Sequence, residues 1–262
     1  MASLDDITPM IITLNEEVNI ERCLSGLEWA KKILVIDSFS TDRTLEILKK
    51  DSRIQILQRK FDDFASQCNF GLKHIETKWV LSLDADYVIT PDLIEEITTA
   101  FNKNDVSGYK IPLKACVYGK PLRSSIFPPR ICLYQKKLSH YTMGGHGHVL
   151  KISGKTETIS TPILVDDYKN LSVWFQNQAA YSRIEAEKVL KTNFRNLKLK
   201  DKIRKLQFIS PFLVIPYCLF YKLGFLDGIH GIYYAFTRSM FELLVSINIL
   251  DIKLFPAKSK NQ

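Results

Sequence analysis

Residues 79–92 read WVLSLDADYVITPD. Trp79–Leu83 is a short apolar run, and two carboxylates, Asp84 and Asp86, follow it one residue apart. Thr90 then stands as a helix N-cap, with Pro91 at the first helical position and acids behind it, so a helix to about Lys103 is expected. Upstream, Ile7–Thr13, Ile33–Asp37 and Ile54–Leu57 are apolar runs of the same kind. Helix-like stretches lie between them at Glu17–Trp29, Thr44–Lys50 and Ala65–Ile75. Strand and helix alternating in this way predict an α/β fold, a parallel sheet with crossover helices.

Downstream the pattern loosens. Residues 107–165 hold short runs such as Tyr109–Val117, Ile131–Gln135 and His148–Ile152, with a turn at Gly119-Lys120-Pro121, and predict irregular strands and loops. Helix returns over 170–190. There Trp174, Gln178, Tyr181 and Glu185 share one stripe, while Leu171, Phe175, Ala179 and Leu190 share another face. A basic run at 188–205 and two apolar stretches, Phe208–Phe225 and Ile229–Leu250, close the chain. Pro211, Pro216 and Lys222 interrupt the first, and His230, Arg238 and Glu242 the second, so helices lying in or against a bilayer interface fit better than spans. The expected division is residues 1–187 for the α/β domain and 188–262 for a helical, membrane-associating tail.

Composition narrows the function. Hydrophobic residues at 46% and charged residues at 24% exclude a disordered or low-complexity chain. The net charge is +8, and residues 188–205 alone carry eight basic side chains against one acid, Asp201. The remainder is near neutral, so no nucleic-acid partner is expected. The five cysteines are scattered and form no CxxC pair, which fits a reducing compartment and opposes a disulfide scaffold or structural zinc site. MASLDDITPM lacks the regions of a signal peptide, so folding in the cytosol is expected. Neither GxGxxG nor GxxxxGK[ST] follows the first strand, which disfavours dinucleotide oxidoreductases and P-loop hydrolases.

Carboxylates at the C-terminal end of a sheet strand point into the crevice where α/β proteins bind ligands. They suit hard cations such as Mg²⁺ or Mn²⁺, which bridge phosphate oxygens. The turns Thr13-Leu14-Asn15-Glu16, with Asn15 placed as an N-cap, and Asp37–Asp42 close the first two strands on the same rim.

The segments ITLNEEVNIERCL (12–24), VIDSFSTDRTLEIL (35–48) and WVLSLDADYVITPDLIEEI (79–97), in this order, resemble family 2 glycosyltransferases of the GT-A fold. FPPR (127–130), GGHGH (144–148) and DDYKNLSVWFQNQAAYSRIEA (166–186) resemble a bacterial subgroup that builds envelope polysaccharide or lipid-linked glycans. The resemblance implies a GT-A mixed sheet with flanking helices. It implies an inverting, metal-dependent transfer of a hexose from a nucleoside-diphosphate sugar, typically with UDP, to a lipopolysaccharide-core, capsule or lipid-linked glycan acceptor. A polyprenyl-phosphate sugar synthase, or an inactive membrane-docked binding protein of the same fold, are the alternatives. Thr13, Leu14, Asn15 and Glu16 would hold the nucleotide, Asp37 the base, and Asn69 the same site through the third helix. Asp84-Ala85-Asp86 would meet the donor, with Asp84 and Asp86 on the divalent metal. By charge alone, Arg123 and Arg130 are candidate phosphate contacts. Asp167 or Asp166 would be the base, with His146 next. Phe39 and Arg43 stand where glycine is usual, implying a differently built turn. Cys68 replaces an arginine, whose charge Arg59 or Lys60 would supply, and Val165 replaces a histidine before the paired acids. The expected location is the cytoplasmic face of the inner membrane, peripheral or monotopic, held on anionic lipid through residues 188–225.

Overall fold

The computed structural model describes residues 3–101, 105–144 and 147–255. The chain forms two compact units: residues 1–121 with 126–168, and residues 122–125 with 169–262.

The first unit opens with β1 (Ile7–Thr13), α1 (Ile20–Ser25), β2 (Ile33–Asp37), α2 (Thr44–Leu48), β3 (Ile54–Gln58), α3 (Phe64–Lys73), β4 (Trp79–Asp84), β5 (Tyr87–Val88) and α4 (Pro91–Ala100). There follow β6 (Gly108–Ile111), β7 (Leu113–Val117), β8 (Lys120–Pro121), β9 (Arg130–Gln135), β10 (Ser139–Gly144), β11 (Gly147–Ile152), β12 (Thr156–Thr158) and β13 (Ile163–Val165). The main sheet has the order β12-β6-β9-β4-β1-β2-β3. Strands β4, β1, β2 and β3 run parallel, and β9 runs antiparallel to both β4 and β6.

Why β1, β2 and β4 read as unbroken apolar runs is plain from their two faces. Ile7, Ile11, Ile33, Val35, Leu81 and Leu83 pack on one side, against α1, α2 and α4. Met10, Leu34, Ile36 and Val80 pack on the other, against α3 and Tyr141 of β10. A strand covered on both faces has no polar side to alternate with. β3 lies at the edge and is only half-buried. Gly71 lets α3 approach closely, since a Cβ there would meet Met10 Sδ at 2.5 Å.

The helix expected from residue 17 forms only over Ile20–Ser25. Asn15 is not its cap; it holds a left-handed backbone, φ +54°, inside the preceding loop. Thr90 does cap α4, accepting from the Leu93 amide.

The second unit comprises α5 (Leu171–Lys191), α6 (Leu199–Lys205), α7 (Ile209–Pro216) and the long α8 (Ile229–Leu254). The division expected at residue 187 falls inside α5, a continuous helix whose C-terminal half packs Ala186 and Val189 on Phe241, Val245 and Ile249 of α8. Glu185, on the stripe singled out above, is buried against Arg204 at 3.0 Å. Arg204 also meets Asp201 at 3.0 Å and Glu242 at 2.6 Å, and Glu242 accepts from Ser210 Oγ at 2.7 Å. One of the eight cations of the basic run therefore faces inward. The stretch Phe208–Phe225 is broken into α7, an i→i+5 turn closed by Lys222 N–H on Tyr217 O, and a short 3₁₀ turn at Gly224–Asp227. Among the described residues no helix is long and apolar enough to cross a membrane. Phe212, Phe220, Tyr221 and Ile229 are nevertheless 66–74% exposed.

Candidate functional site

Two loops after adjacent parallel strands are laced together. Asn15 N–H donates to Ser40 Oγ (2.9 Å), Glu16 N–H to Thr44 Oγ1 (2.8 Å) and Glu17 N–H to Asp42 (3.0 Å). In return Thr41 N–H donates to Asn15 Oδ1 (2.8 Å) and Arg43 N–H to Glu17 (3.0 Å). Asp37 is the floor of this lattice. It is fully buried and accepts from Thr13 Oγ1, Ser40 N–H, Ser40 Oγ and Gln58 Nε2 at 2.5–3.1 Å. Leu14 and Phe39, in the same two loops, are exposed. Phe39 takes the left-handed conformation, φ +63°. A phenylalanine held there costs about 1–3 kcal/mol, which the surrounding hydrogen bonds must over-determine.

Asp84 closes β4 and Asp86 follows it, with Ala85 between them buried in the core. Burial, and then the neighbouring charges of Asp84, Asp167 and Glu16, hold Asp86 well above the usual carboxylate range. Arg130 Nη1 lies 3.7 Å from Asp84 Oδ2 and 3.3 Å from the Tyr87 hydroxyl. Beside Asp84 opens a cleft of about 320 Å³ whose walls include Arg130, Tyr141 and His148. Burial lowers the His148 pKa, against the pull of Asp84. His146 lies outside the described residues.

The paired acids Asp166 and Asp167 part company. Asp166 is buried, with Arg22 Nη1 on Oδ2 at 2.7 Å and the Gly119 amide on Oδ1 at 3.2 Å. Its own amide donates to Asp86 O at 3.0 Å. Asp167 is exposed and accepts from Asn19 Nδ2 at 2.8 Å. Neither caps α5, because Asn170 does so through the Val173 amide.

Asn19 is the residue that sequence reasoning missed. Almost wholly buried, it donates to Glu16 (2.9 Å) and Asp167, and accepts from Arg22 Nη2 (2.8 Å) and the Tyr168 amide (2.9 Å). Arg22 also stacks on the Tyr168 ring, 3.5 Å from its centroid. The available signal was the Asn19/Arg22 spacing of three, which places both on one helical face. Asn69, expected at the nucleotide, spends its amide on the Tyr141 backbone, donating to O and accepting from N–H at 2.9 Å. Cys68 is buried, and Arg59 is engaged by Asp62 and Gln67 at 2.5–2.7 Å.

The strand-end loops at β1, β2 and β4 thus converge with the β13 end on one carboxylate-lined rim, held by Asn19 and Arg22. Residues 10–146 match the family described as glycosyl transferase family 2. An uncharacterized glycosyltransferase of Rickettsia bellii is 27% identical over 279 aligned positions, covering 96% of this chain and 89% of the relative. A lipopolysaccharide core biosynthesis glycosyltransferase, LpsC, of Rhizobium meliloti is 26% identical over 43% of this chain and 44% of its own. Among solved structures, S. aureus TarS 1–349, crystallised with UDP-GlcNAc, superposes with a TM-score of 0.50 at 14% identity, covering 95% of this chain and 91% of that one. The main sheet, with its parallel half carrying the acidic rim, is accordingly of the GT-A kind, and the chain belongs to glycosyl transferase family 2.

Proposed function

We propose that the protein is an inverting, divalent-metal-dependent hexosyltransferase that uses a UDP-sugar and glycosylates a lipopolysaccharide-core, capsule or lipid-linked glycan. The observation that carries this reading is the carboxylate group at the end of β4, where Asp86 is crowded by Asp84, Asp167 and Glu16. Such a concentration of negative charge is relieved by a cation. The donor set is hard oxygen, which suits Mg²⁺ or Mn²⁺. Among the described residues no three His, Cys, Asp or Glu side chains form a ready cage. Asp86 and Asp84 would hold the ion together with diphosphate oxygens and water, the usual arrangement for Mg²⁺ with phosphates. When bound, the metal neutralises charge on the departing nucleoside diphosphate.

The chain's own residues do the rest. The lattice over Asp37 presents Thr13–Glu16 to the nucleotide. Asp167, oriented by Asn19, takes the proton from the acceptor hydroxyl. That oxygen attacks the anomeric carbon as the bond to the diphosphate oxygen breaks on the opposite face, so the configuration inverts. Asp166, its carboxylate engaged by Arg22 and Gly119, fixes the chain just before Asp167.

The likeness to a lipopolysaccharide core glycosyltransferase supports the acceptor class. Peripheral attachment to the anionic cytoplasmic face of the inner membrane is supported by the cations of 188–205 and the exposed apolar side chains of 208–229. A thermal-shift screen of UDP, GDP, dTDP and their sugars with Mn²⁺ tests the donor. UDP with Mn²⁺ should stabilise the wild type and leave Asp86→Ala unmoved; no response to UDP, or an equal response in the variant, overturns the reading.

A further inference from the structure

The cleft beside Asp84 is a site of its own. Its walls come from β4, β5, β6, β9, β10 and β11, and its polar members include Asp84, Lys110, Arg130, Tyr141 and His148. In the main sheet it lies on the β9–β6 side of β4, whereas the loops laced over Asp37 follow β1 and β2 on the other side. A ligand in it therefore meets Asp84 from the side opposite the nucleotide loops.

Three observations define what that ligand is. First, the volume of about 320 Å³ is at the lower end for ligand pockets, which suits one sugar residue rather than a glycan chain. Second, Lys110 and Arg130 bring two cations against the single acid Asp84. On the reading above Asp84 would also serve a metal ion, so the carboxylate 3.7 Å from Arg130 would not belong to that cation alone. Third, the pairing of β6 with β9 slips between Tyr109 and Lys110, whose partners are Leu133 and Ile131. Cys132 is thereby the extra residue, and both Cys132 and Lys110 line the cleft. A bulge of this kind recurs beside active sites, and here it lies on β9 opposite Lys110 of β6. Guanidinium and ammonium groups converging on a pocket of this size recognise carboxylate or phosphate.

We propose that this cleft is an acceptor subsite selecting a saccharide that bears a carboxylate or a phosphate, with Lys110 and Arg130 as its anion contacts. The proposal rests on the glycosyltransferase reading given above. It extends that reading by naming the charge class of the sugar that receives the hexose.

The test uses the full chain with UDP and Mn²⁺ at saturation, so that the donor side is occupied. Glucose, glucuronate, glucose 6-phosphate and inorganic phosphate are then titrated by ligand-observed NMR. Glucuronate and glucose 6-phosphate should bind at least tenfold more tightly than glucose and than phosphate alone. Lys110→Gln should remove that preference while UDP affinity stays at the wild-type value, which also shows that the variant is folded. Four probes binding alike, inorganic phosphate binding as tightly as the sugar phosphate, or an unchanged preference in Lys110→Gln would each overturn the subsite and leave the donor reading standing. Failure of the wild type to bind UDP would overturn both.

Discussion

Asp86 carries opposed consequences for stability and activity. Burial and like charges raise its pKa above the usual carboxylate range. Between the unfolded and folded values the native state binds more protons, so this group makes the metal-free protein less stable as pH rises through that window. Asp86→Asn should therefore raise the melting temperature of the metal-free protein at pH 7 by roughly 2–4 °C, for about 1 kcal/mol. The gain should disappear at pH 4, and Mn²⁺ should stabilise the wild type only. Calorimetry at the two pH values, with and without Mn²⁺, checks all three.

The pair Asp166/Asp167 separates by the same kind of reasoning. Asp167→Asn should lower transfer by about 10²–10⁴-fold while the protein stays folded and still binds UDP with Mn²⁺. Removing Arg22, by Arg22→Ala, should instead destabilise by about 3 kcal/mol in urea, because it leaves the buried Asp166 carboxylate unpaired. The acids at 84, 86, 166 and 167 were all legible in the sequence as an acidic rim. The division of labour between Asp166 and Asp167 was not, because it depends on Asn19 and Arg22, partners 144 to 149 residues away. Local spacing carries no record of such contacts.

Helices and strands follow the same division between local and distant causes. β1, β2 and β4 were legible to within a residue, since burial on both faces leaves an uninterrupted apolar run. The short α1 was overestimated because Glu16 and Glu17 are drawn into the loop lattice instead of a helical turn. In the second unit, α6 lies in the basic run expected to meet anionic lipid, yet Arg204 joins three acids from α5, α6 and α8. Although burial pushes Glu242 up, the bonds from Arg204 and Ser210 hold it below the usual range. Its contribution is thus present above the ordinary glutamate pKa and is lost as pH falls through the lowered one, the reverse of Asp86. Arg204→Ala should cost about 3–5 kcal/mol, by stranding buried carboxylates. Far-UV circular dichroism during urea unfolding measures it, and Arg204→Lys should recover only part of the loss.

For the molecule as a whole, the surface chemistry of the helical unit bears on where the enzyme works. Its apolar side chains at 212, 220, 221 and 229 stand largely in solvent. Lys198, Lys200, Lys202 and Lys205 belong to the adjoining basic run, with Lys202 and Lys205 set near the Phe194 ring. Sedimentation with vesicles should therefore require both anionic lipid and the aromatic side chains. Phe212→Ser with Phe220→Ser should reduce binding at least tenfold at moderate salt, and neutral phosphatidylcholine vesicles should retain little of the wild type. Equal binding to neutral vesicles would count against an electrostatic contribution.

Leu122–Ser125 adds a constraint of a different kind. These four residues leave the α/β unit and return to it, yet they belong to the helical unit, where Asp227 accepts the amides of Arg123 and Ser124 at 2.8 and 3.4 Å. Leu122 is wholly buried. The polypeptide therefore passes between the units three times, and a cut after residue 168 removes the cover from a segment that sits far upstream. Such a truncated chain should be recovered mainly as aggregate, as gel filtration would show. The two units cannot be parted with scissors at a single point, so genetic fusion, swapping of tails between relatives and limited proteolysis must all respect a thread stitched through both.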